Sequence, residues 1–269
     1  MSDYVTFKTS SPSGDLISFL SGMKQIYSDT GKKSVVYQRL NMPGISYMGS
    51  LHPFENESGE PICMNRYMFD MLYPLLKSQE YIEDFLVYNG EQVQFDLDNI
   101  RLERFTNQPN GSLNRWFSYI FPDMASDLSK KWINVPCGTI YKKYKDKIII
   151  NFTERHRNHI LTYHYLKPHQ DKIMFVGLKK ERDLFCNNWG LDIPLIEVEN
   201  FLQLAKIIKA CKFFLGNASM CYQIAEAVKS KRLLEIFPLH PNVIPVGENA
   251  FDYYHQISME YYFNKLLKQ

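Results

Sequence analysis

Asp15 ends the run Ser10-Ser11-Pro12-Ser13-Gly14, small residues that close a loop before a carboxylate opens a helix. A helix N-terminus favours a negative side chain, so Asp15 either complements that helix or takes a proton from a hydroxyl nucleophile. Spacing alone does not separate the two. A second group, Phe213-Phe214-Leu215-Gly216-Asn217-Ala218-Ser219-Met220, runs from a strand through a glycine into the helix that begins near Cys221. The N–H groups at that helix start, with the side chains of Asn217 and Ser219, would form an anion site suited to a diphosphate, with Gly216 permitting a tight turn. The plainer possibility is that Asn217 or Ser219 only caps the helix. A third group, Thr153-Glu154-Arg155-His156-Arg157, follows another strand. Two guanidinium groups there suit phosphate oxygens through paired hydrogen bonds, unless Glu154 and Arg157 merely pair across a solvated helix turn.

Other patterns carry less. Asp96-Leu97-Asp98 has the form of a two-carboxylate metal site, His156, His159, His164 and His169 are dense, and Thr30-Gly31-Lys32-Lys33-Ser34 imitates the end of a phosphate loop. The histidines do not share a helix face at ligand spacing, and the phosphate-loop imitation lacks its upstream glycine. No metal is expected, and no nucleoside triphosphatase.

The elements that must position these residues follow from apolar periodicity. Strands are expected at Tyr4–Lys8, Ser34–Gln38, Lys147–Asn151, Lys172–Gly177, Ile193–Ile196, Lys212–Gly216 and Arg232–Phe237. Helices are expected at Asp15–Tyr27, Tyr67–Leu76, Leu113–Phe121, Asp123–Trp132, Arg157–Leu166, Lys180–Asn187, Asn200–Ala210, Ser219–Lys229 and Tyr253–Leu267. In Asn200–Ala210 the residues Phe201, Leu204, Ala205 and Ile208 form one apolar stripe. Strands alternating with helices at both ends of the chain predict two α/β domains with parallel sheets, Rossmann-like in general form, facing each other across a cleft. Pro136, Gly138 and the lysines 142, 143, 145 and 147 mark the boundary, giving an N-terminal domain over 1–140 and a second over 141–252. The last helix, 253–268, is expected to pack back on the N-terminal domain. Ligands of open α/β sheets bind at the carboxyl ends of the strands, where Asp15, Arg155 and Asn217 all fall.

The 269 residues are 45% hydrophobic and 22% charged, the composition of a packed globular chain, and a net charge of +2 announces no global affinity for nucleic acid or membrane. Five cysteines, odd in number and without a CxxC pair, read as reduced thiols. With no signal-peptide pattern and no apolar run long enough to span a membrane, a cytoplasmic protein is expected.

Gly14-Asp15-Leu16-Ile17 and Phe214-Leu215-Gly216-Asn217-Ala218-Ser219-Met220-Cys221-Tyr222-Gln223-Ile224-Ala225-Glu226-Ala227-Val228 together resemble the ADP-heptose:lipopolysaccharide heptosyltransferase-like glycosyltransferases. That family shows G-D-x-I/L in its first loop and roughly F-I-G-N-D-S/T-G-x-x-H-x-A-A-A late in the chain. Here Ala218, Met220 and Gln223 stand at the family's Asp, Gly and His. The resemblance implies a GT-B architecture and metal-independent, inverting transfer of a sugar from a nucleoside-diphosphate sugar to a hydroxyl, with no cofactor. Asp15 would be the base, and Ser13 and Gly14 would lie beside the acceptor. Arg155, Arg157, Gly216, Asn217, Ser219, Met220 and Gln223 would line the donor, and Glu226 would meet its ribose. A bacterial or phage glycan is the implied acceptor. Two rivals remain. The stretch 142–157, with six lysines and arginines against Asp146 and Glu154, suits a phage-type enzyme acting on hydroxymethylated DNA. The replacements at 218 and 223 suit a non-catalytic sugar-nucleotide or glycan-binding module.

Overall fold

Val5, Phe7 and Thr9 alternate with more exposed neighbours, so Tyr4–Thr9 forms a strand (β1) with one face in the core. The computed structural model describes residues 3–44, 54–101, 111–136, 138–239 and 241–269, which leaves Cys137 outside the described residues. These fall into two units, each described by itself. The first holds residues 1–128, 132–134 and 200–202, and the second holds the rest.

In the first unit β1 leads into α1 (Ser13–Thr30) and β2 (Lys33–Gln38), then the short hairpin β3 (Phe54–Glu55) and β4 (Pro61–Ile62), α2 (Arg66–Lys77), β5 (Ile82–Val87), β6 (Phe95–Asp96) and α3 (Leu113–Ile120). The main sheet runs β5-β2-β1-β6, and every pair is parallel. β1 is the pivot: the chain moves outward from it to β2 and β5, then returns to lay β6 on its other edge. α1 packs closely on the segments after it, since a Cβ on Gly22 would lie 2.6 Å from Met124 and 2.8 Å from Phe117.

The helix expected over Asp123–Trp132 is absent. A single 3-10 turn, Pro122–Met124, ends it. Beyond that turn Trp132 Nε1 donates to Ile17 O at 2.9 Å and Trp132 O accepts from Tyr81 at 2.7 Å, so tertiary bonds take the place of helical ones. The same bonds keep Trp132–Asn134 in the first unit, and the chain passes into the second by Val135, just ahead of the expected boundary.

The second unit contains β7 (Ile148–Asn151), β8 (Ile173–Val176), α4 (Lys179–Trp189), β9 (Leu195–Ile196), α5 (Phe201–Ala210) from Gln203 onward, β10 (Phe213–Asn217), α6 (Met220–Ala227), β11 (Arg232–Glu235), β12 (Ala250–Tyr253) and α7 (Gln256–Lys268). Its sheet runs β12-β11-β10-β7-β8-β9, again wholly parallel. β7, β10 and β11 are buried at every position, as central strands covered on both faces must be.

Two expectations are corrected here. Arg157–Leu166 is not an α-helix. An irregular loop and the 3-10 helix His164–Lys172, with Pro168 inside it, make the crossover to β8. The last helix, expected to pack on the N-terminal domain, belongs to the second unit, because Met259, Phe263 and Leu266 of α7 join Phe213, Leu215 and Ile148 in that unit's own core. Phe213 and Phe263 meet edge to face at 5.3 Å. Among the described residues no helix is long and apolar enough to cross a membrane.

Candidate functional site

Each sheet has one place where the connections of two neighbouring parallel strands lead toward opposite edges, β1 with β6 in the first unit and β7 with β10 in the second. In open α/β sheets the crevice at the carboxyl ends of such a pair is the binding position.

In the second unit this position is stitched by Asn217. Its Oδ1 accepts from Thr153 N at 3.0 Å, and its Nδ2 donates to Thr153 O at 2.9 Å and Arg155 O at 2.7 Å. Nδ2 also reaches His156 O at 3.3 Å, where the backbone takes a φ of 58°. A non-glycine residue seldom adopts that conformation, and here the amide holds it in place. Asn217 is fully buried with both side-chain ends engaged, so it shapes the loop rather than touching a phosphate. Gly216 also departs from the expected turn. It lies inside β10, where a Cβ would sit 2.4 Å from Asn151 O of the neighbouring strand.

The two arginines separate. Arg157 turns inward: its guanidinium lies over Phe152, Tyr163 and Phe185 at 4.9, 5.5 and 5.8 Å, and its Nε bonds Glu235 at 3.0 Å. Glu235 also accepts from Tyr163 and the N–H of Asn158. This corrects the donor role expected of Arg157, which anchors the loop from behind. Arg155 is half-buried and close enough to Glu181 to favour its ionised form.

Glu181 is a candidate that the sequence reading did not include. It stands in the first turn of α4, after β8, 8% exposed, and burial pushes its carboxyl up to about 7 against the pull of Leu178 N–H and Arg155. Gly177, with φ of 128°, makes room for the Asn151 amide, since a Cβ there would lie 2.5 Å from Asn151 Nδ2 and 3.4 Å from Glu181 Oε2. The available signal was Gly177-x-x-x-Glu181 after a strand, because doubly wound nucleotide folds place an acid near the end of the second strand.

Along α6, Ser219 is the N-cap, accepting from Tyr222 N at 3.2 Å, and Met220 begins the first turn half-buried. Ala218 borders a small pocket with Leu234–Phe237 and Pro241–Val243 at the carboxyl ends of β10 and β11. Gln223 is 3% exposed, its Oε1 without a donor. Glu226 is corrected outright. It is fully buried and paired with Arg232 and Lys229, and Arg232 also donates to Ser230 O and Val246 O. A carboxylate so enclosed does not face a ribose.

In the first unit the corresponding position is stitched by Asp98, whose Oδ1 accepts from Ser10 N at 2.6 Å and Ser10 Oγ at 2.8 Å. Gln38 adds a bond to Ser11 O at 3.2 Å. Pro12 then caps α1 without a side-chain bond, Ser13 and Gly14 form its first residues, and Asp15 follows in the first turn, half-buried. Asp96 pairs with Lys8 at 2.6 Å, so both carboxylates of the two-carboxylate pattern are engaged by protein groups. Among the described residues no three His, Cys, Asp or Glu side chains gather as metal ligands would.

No protein-family model matches the sequence, and no curated protein matches it. Solved structures do match in fold. A glycosyl transferase family 9 protein from Veillonella parvula aligns over 99% of this chain and 89% of its own, with a TM-score of 0.56 and 9% identity. E. coli heptosyltransferase WaaC with ADP-2-deoxy-2-fluoro heptose aligns over 97% of this chain and 99% of its own, with a TM-score of 0.58 and 8% identity. E. coli ADP-heptose LPS heptosyltransferase II aligns over 99% of both chains, with a TM-score of 0.54 and 12% identity. The fold is therefore α/β and GT-B-like. In that fold the chain is similar to the heptosyltransferase-like glycosyltransferases, as its two motifs led us to expect.

Proposed function

We propose that the chain is a glycosyltransferase that moves a sugar from a nucleoside-diphosphate donor to a hydroxyl acceptor. One observation carries the reading: Glu181 and Arg155 follow the carboxyl ends of the adjacent strands β8 and β7, beside the β7/β10 position, near enough for the guanidinium to favour the ionised carboxylate. A carboxylate there accepts from ribose hydroxyls, while the guanidinium and the first N–H groups of α6 meet a diphosphate. The fold likeness supports the same ligand class, since WaaC has been solved with ADP and with an ADP-sugar. Ala218 and Gln223, at the family's Asp and His, leave the sugar itself open.

Transfer is a single displacement. The acceptor oxygen attacks the anomeric carbon as Asp15 takes its proton, the bond from that carbon to the diphosphate oxygen breaks, and the configuration inverts. Arg155 and the α6 N-terminus neutralise charge on the departing diphosphate. Asp98, through Ser10, holds the loop that presents Asp15. In this reading Arg155 and the α6 N-terminus, rather than a divalent metal, carry the diphosphate's charge, and Asp96 and Asp98 bond Lys8 and Ser10. A bacterial or phage glycan is the acceptor class.

Titration calorimetry with ADP- and UDP-sugars, on the wild type and on Arg155→Ala and Glu181→Ala, tests the donor half. Each variant removes a charge-assisted bond worth about 1.5–3 kcal/mol, so affinity should fall at least roughly tenfold. Asp15→Asn tests the catalytic half: turnover should drop roughly 10²–10⁴-fold with donor affinity unchanged. Unchanged affinity in both donor variants would remove this site. Donor binding without turnover on any acceptor would make the chain a binding module.

A further inference from the structure

We propose that the amino-terminal edge of the second unit's sheet is a docking face for an anionic phospholipid surface. Four adjacent strands are each preceded by a lysine: Lys172 before β8, Lys147 before β7, Lys212 before β10 and Lys231 before β11. The register sets Lys172, Lys147 and Lys212 side by side, because Ile148 pairs with both Ile173 and Phe213, and Lys212 N donates to Lys147 O at 2.8 Å; Lys231 is offset by one residue, its carbonyl accepting from Phe214 N. Neighbouring strands lie about 4.8 Å apart, so the row spans roughly 15 Å. Beside it the 3-10 helix Thr139–Tyr144 leads into β7, and Lys142, Lys143 and Lys145 are exposed there. Asp146 and Asp171 are the acids in the same stretches, and Lys147 Nζ bonds the backbone carbonyl of Asp171.

Charge complementarity favours an anionic surface, and two details favour phospholipid. Every cation in the group is lysine, a strongly hydrated point charge suited to diffuse attraction toward a headgroup layer. Nucleic-acid grooves rely instead on arginine forks and stacked aromatics. Ile140 is 70% exposed in the same turn, and an apolar side chain ringed by lysines gains by entering the boundary between headgroups and acyl chains. Helix dipoles offer a simpler reason for Lys212 and Lys231, which follow the ends of α5 and α6, but not for Lys142, Lys143, Lys145 or Ile140. The face lies at the opposite end of the strands from Asn217 and Glu181, so docking leaves the proposed nucleotide site open.

The test is co-sedimentation of the full chain with vesicles of phosphatidylcholine alone and of phosphatidylcholine mixed with phosphatidylglycerol. Binding should be confined to the mixed vesicles and should weaken as salt is raised. The triple variant K142E/K143E/K145E should bind roughly a hundredfold more weakly, at roughly fivefold per lysine, and Ile140→Ser roughly tenfold more weakly. Both variants should keep the wild-type melting temperature, since all four side chains are exposed. Equal binding to both vesicle types, or wild-type affinity in the triple variant, overturns the proposal. So does salt-dependent binding to duplex DNA, lost in the triple variant, with no binding to vesicles. No donor sugar enters the measurement, so its outcome is separate from that of the proposed transfer reaction.

Discussion

Asn217 and Thr153, 64 positions apart, bond to each other as two peptide groups would: Thr153 N–H donates to Asn217 Oδ1 and Asn217 Nδ2 donates to Thr153 O. A side-chain amide thereby continues the β10–β7 pairing one residue beyond the sheet. Asp98 and Ser10 serve the first unit in a related way, from the 3-10 helix after β6 to the loop after β1. In both units the loop that carries a proposed functional residue, Arg155 or Asp15, is tied to the neighbouring strand's end.

Asn217→Ala should therefore cost at least about 2 kcal/mol, because it strands Thr153 N–H and the carbonyls of Thr153 and Arg155, each worth about 1–3 kcal/mol when buried unpaired. Asn217→Asp should not restore it, since a carboxylate oxygen would face those carbonyls with no proton to give. Urea unfolding measures the loss, and hydrogen exchange should quicken at 153–156.

Gly216→Ala should destabilise by about 1–3 kcal/mol through overpacking, as its Cβ would fall 2.4 Å from Asn151 O. Gly138→Ala is the control. Nothing lies within 4 Å of its Cβ position and its φ is −70°, so its effect should stay within about 0.5 kcal/mol.

Glu226→Ala should behave as a stability variant and not as a donor-binding one. It leaves Arg232, fully buried, without its carboxylate, a loss of about 3–5 kcal/mol for a broken buried pair. Donor affinity of the folded protein, measured at low temperature, should match the wild type. A selective loss of affinity at unchanged stability would return Glu226 to the ribose.

Glu181 gives a pH dependence of known sign. Burial raises its carboxyl from the usual 4.5 to about 7, so the folded chain holds a proton that the unfolded chain has released. Its stabilising contribution is whole below about pH 4.5, is lost as pH rises to about 7, and then levels. Over that window the wild type should lose melting temperature relative to Glu181→Gln. Affinity for a nucleotide sugar should rise through the same range, because only the ionised carboxylate accepts from both ribose hydroxyls, and the variant should show a flatter profile.

The sequence by itself determined the strands around which both sheets are built and the motifs at their carboxyl ends. Parallel central strands are local apolar runs, and a residue following such a run falls at the carboxyl edge of the sheet; the placement of Asp15, Arg155 and Asn217 at those edges was legible for that reason. The resemblance carried by Gly14–Ile17 and Phe214–Val228 pointed to the GT-B-like fold. What each polar side chain touches was decided only by tertiary structure. Arg155 and Arg157 are two residues apart with the same charge, yet one lies near Glu181 and the other beneath Phe152 against Glu235. Glu226, expected at the ribose, is taken instead by Arg232 on the next strand. Helix Arg157–Leu166 failed because Glu235, 77 positions after Asn158, takes that residue's backbone N–H. Periodicity records which face of an element is apolar. The partner of a buried charge comes from another strand, at a separation no local pattern encodes.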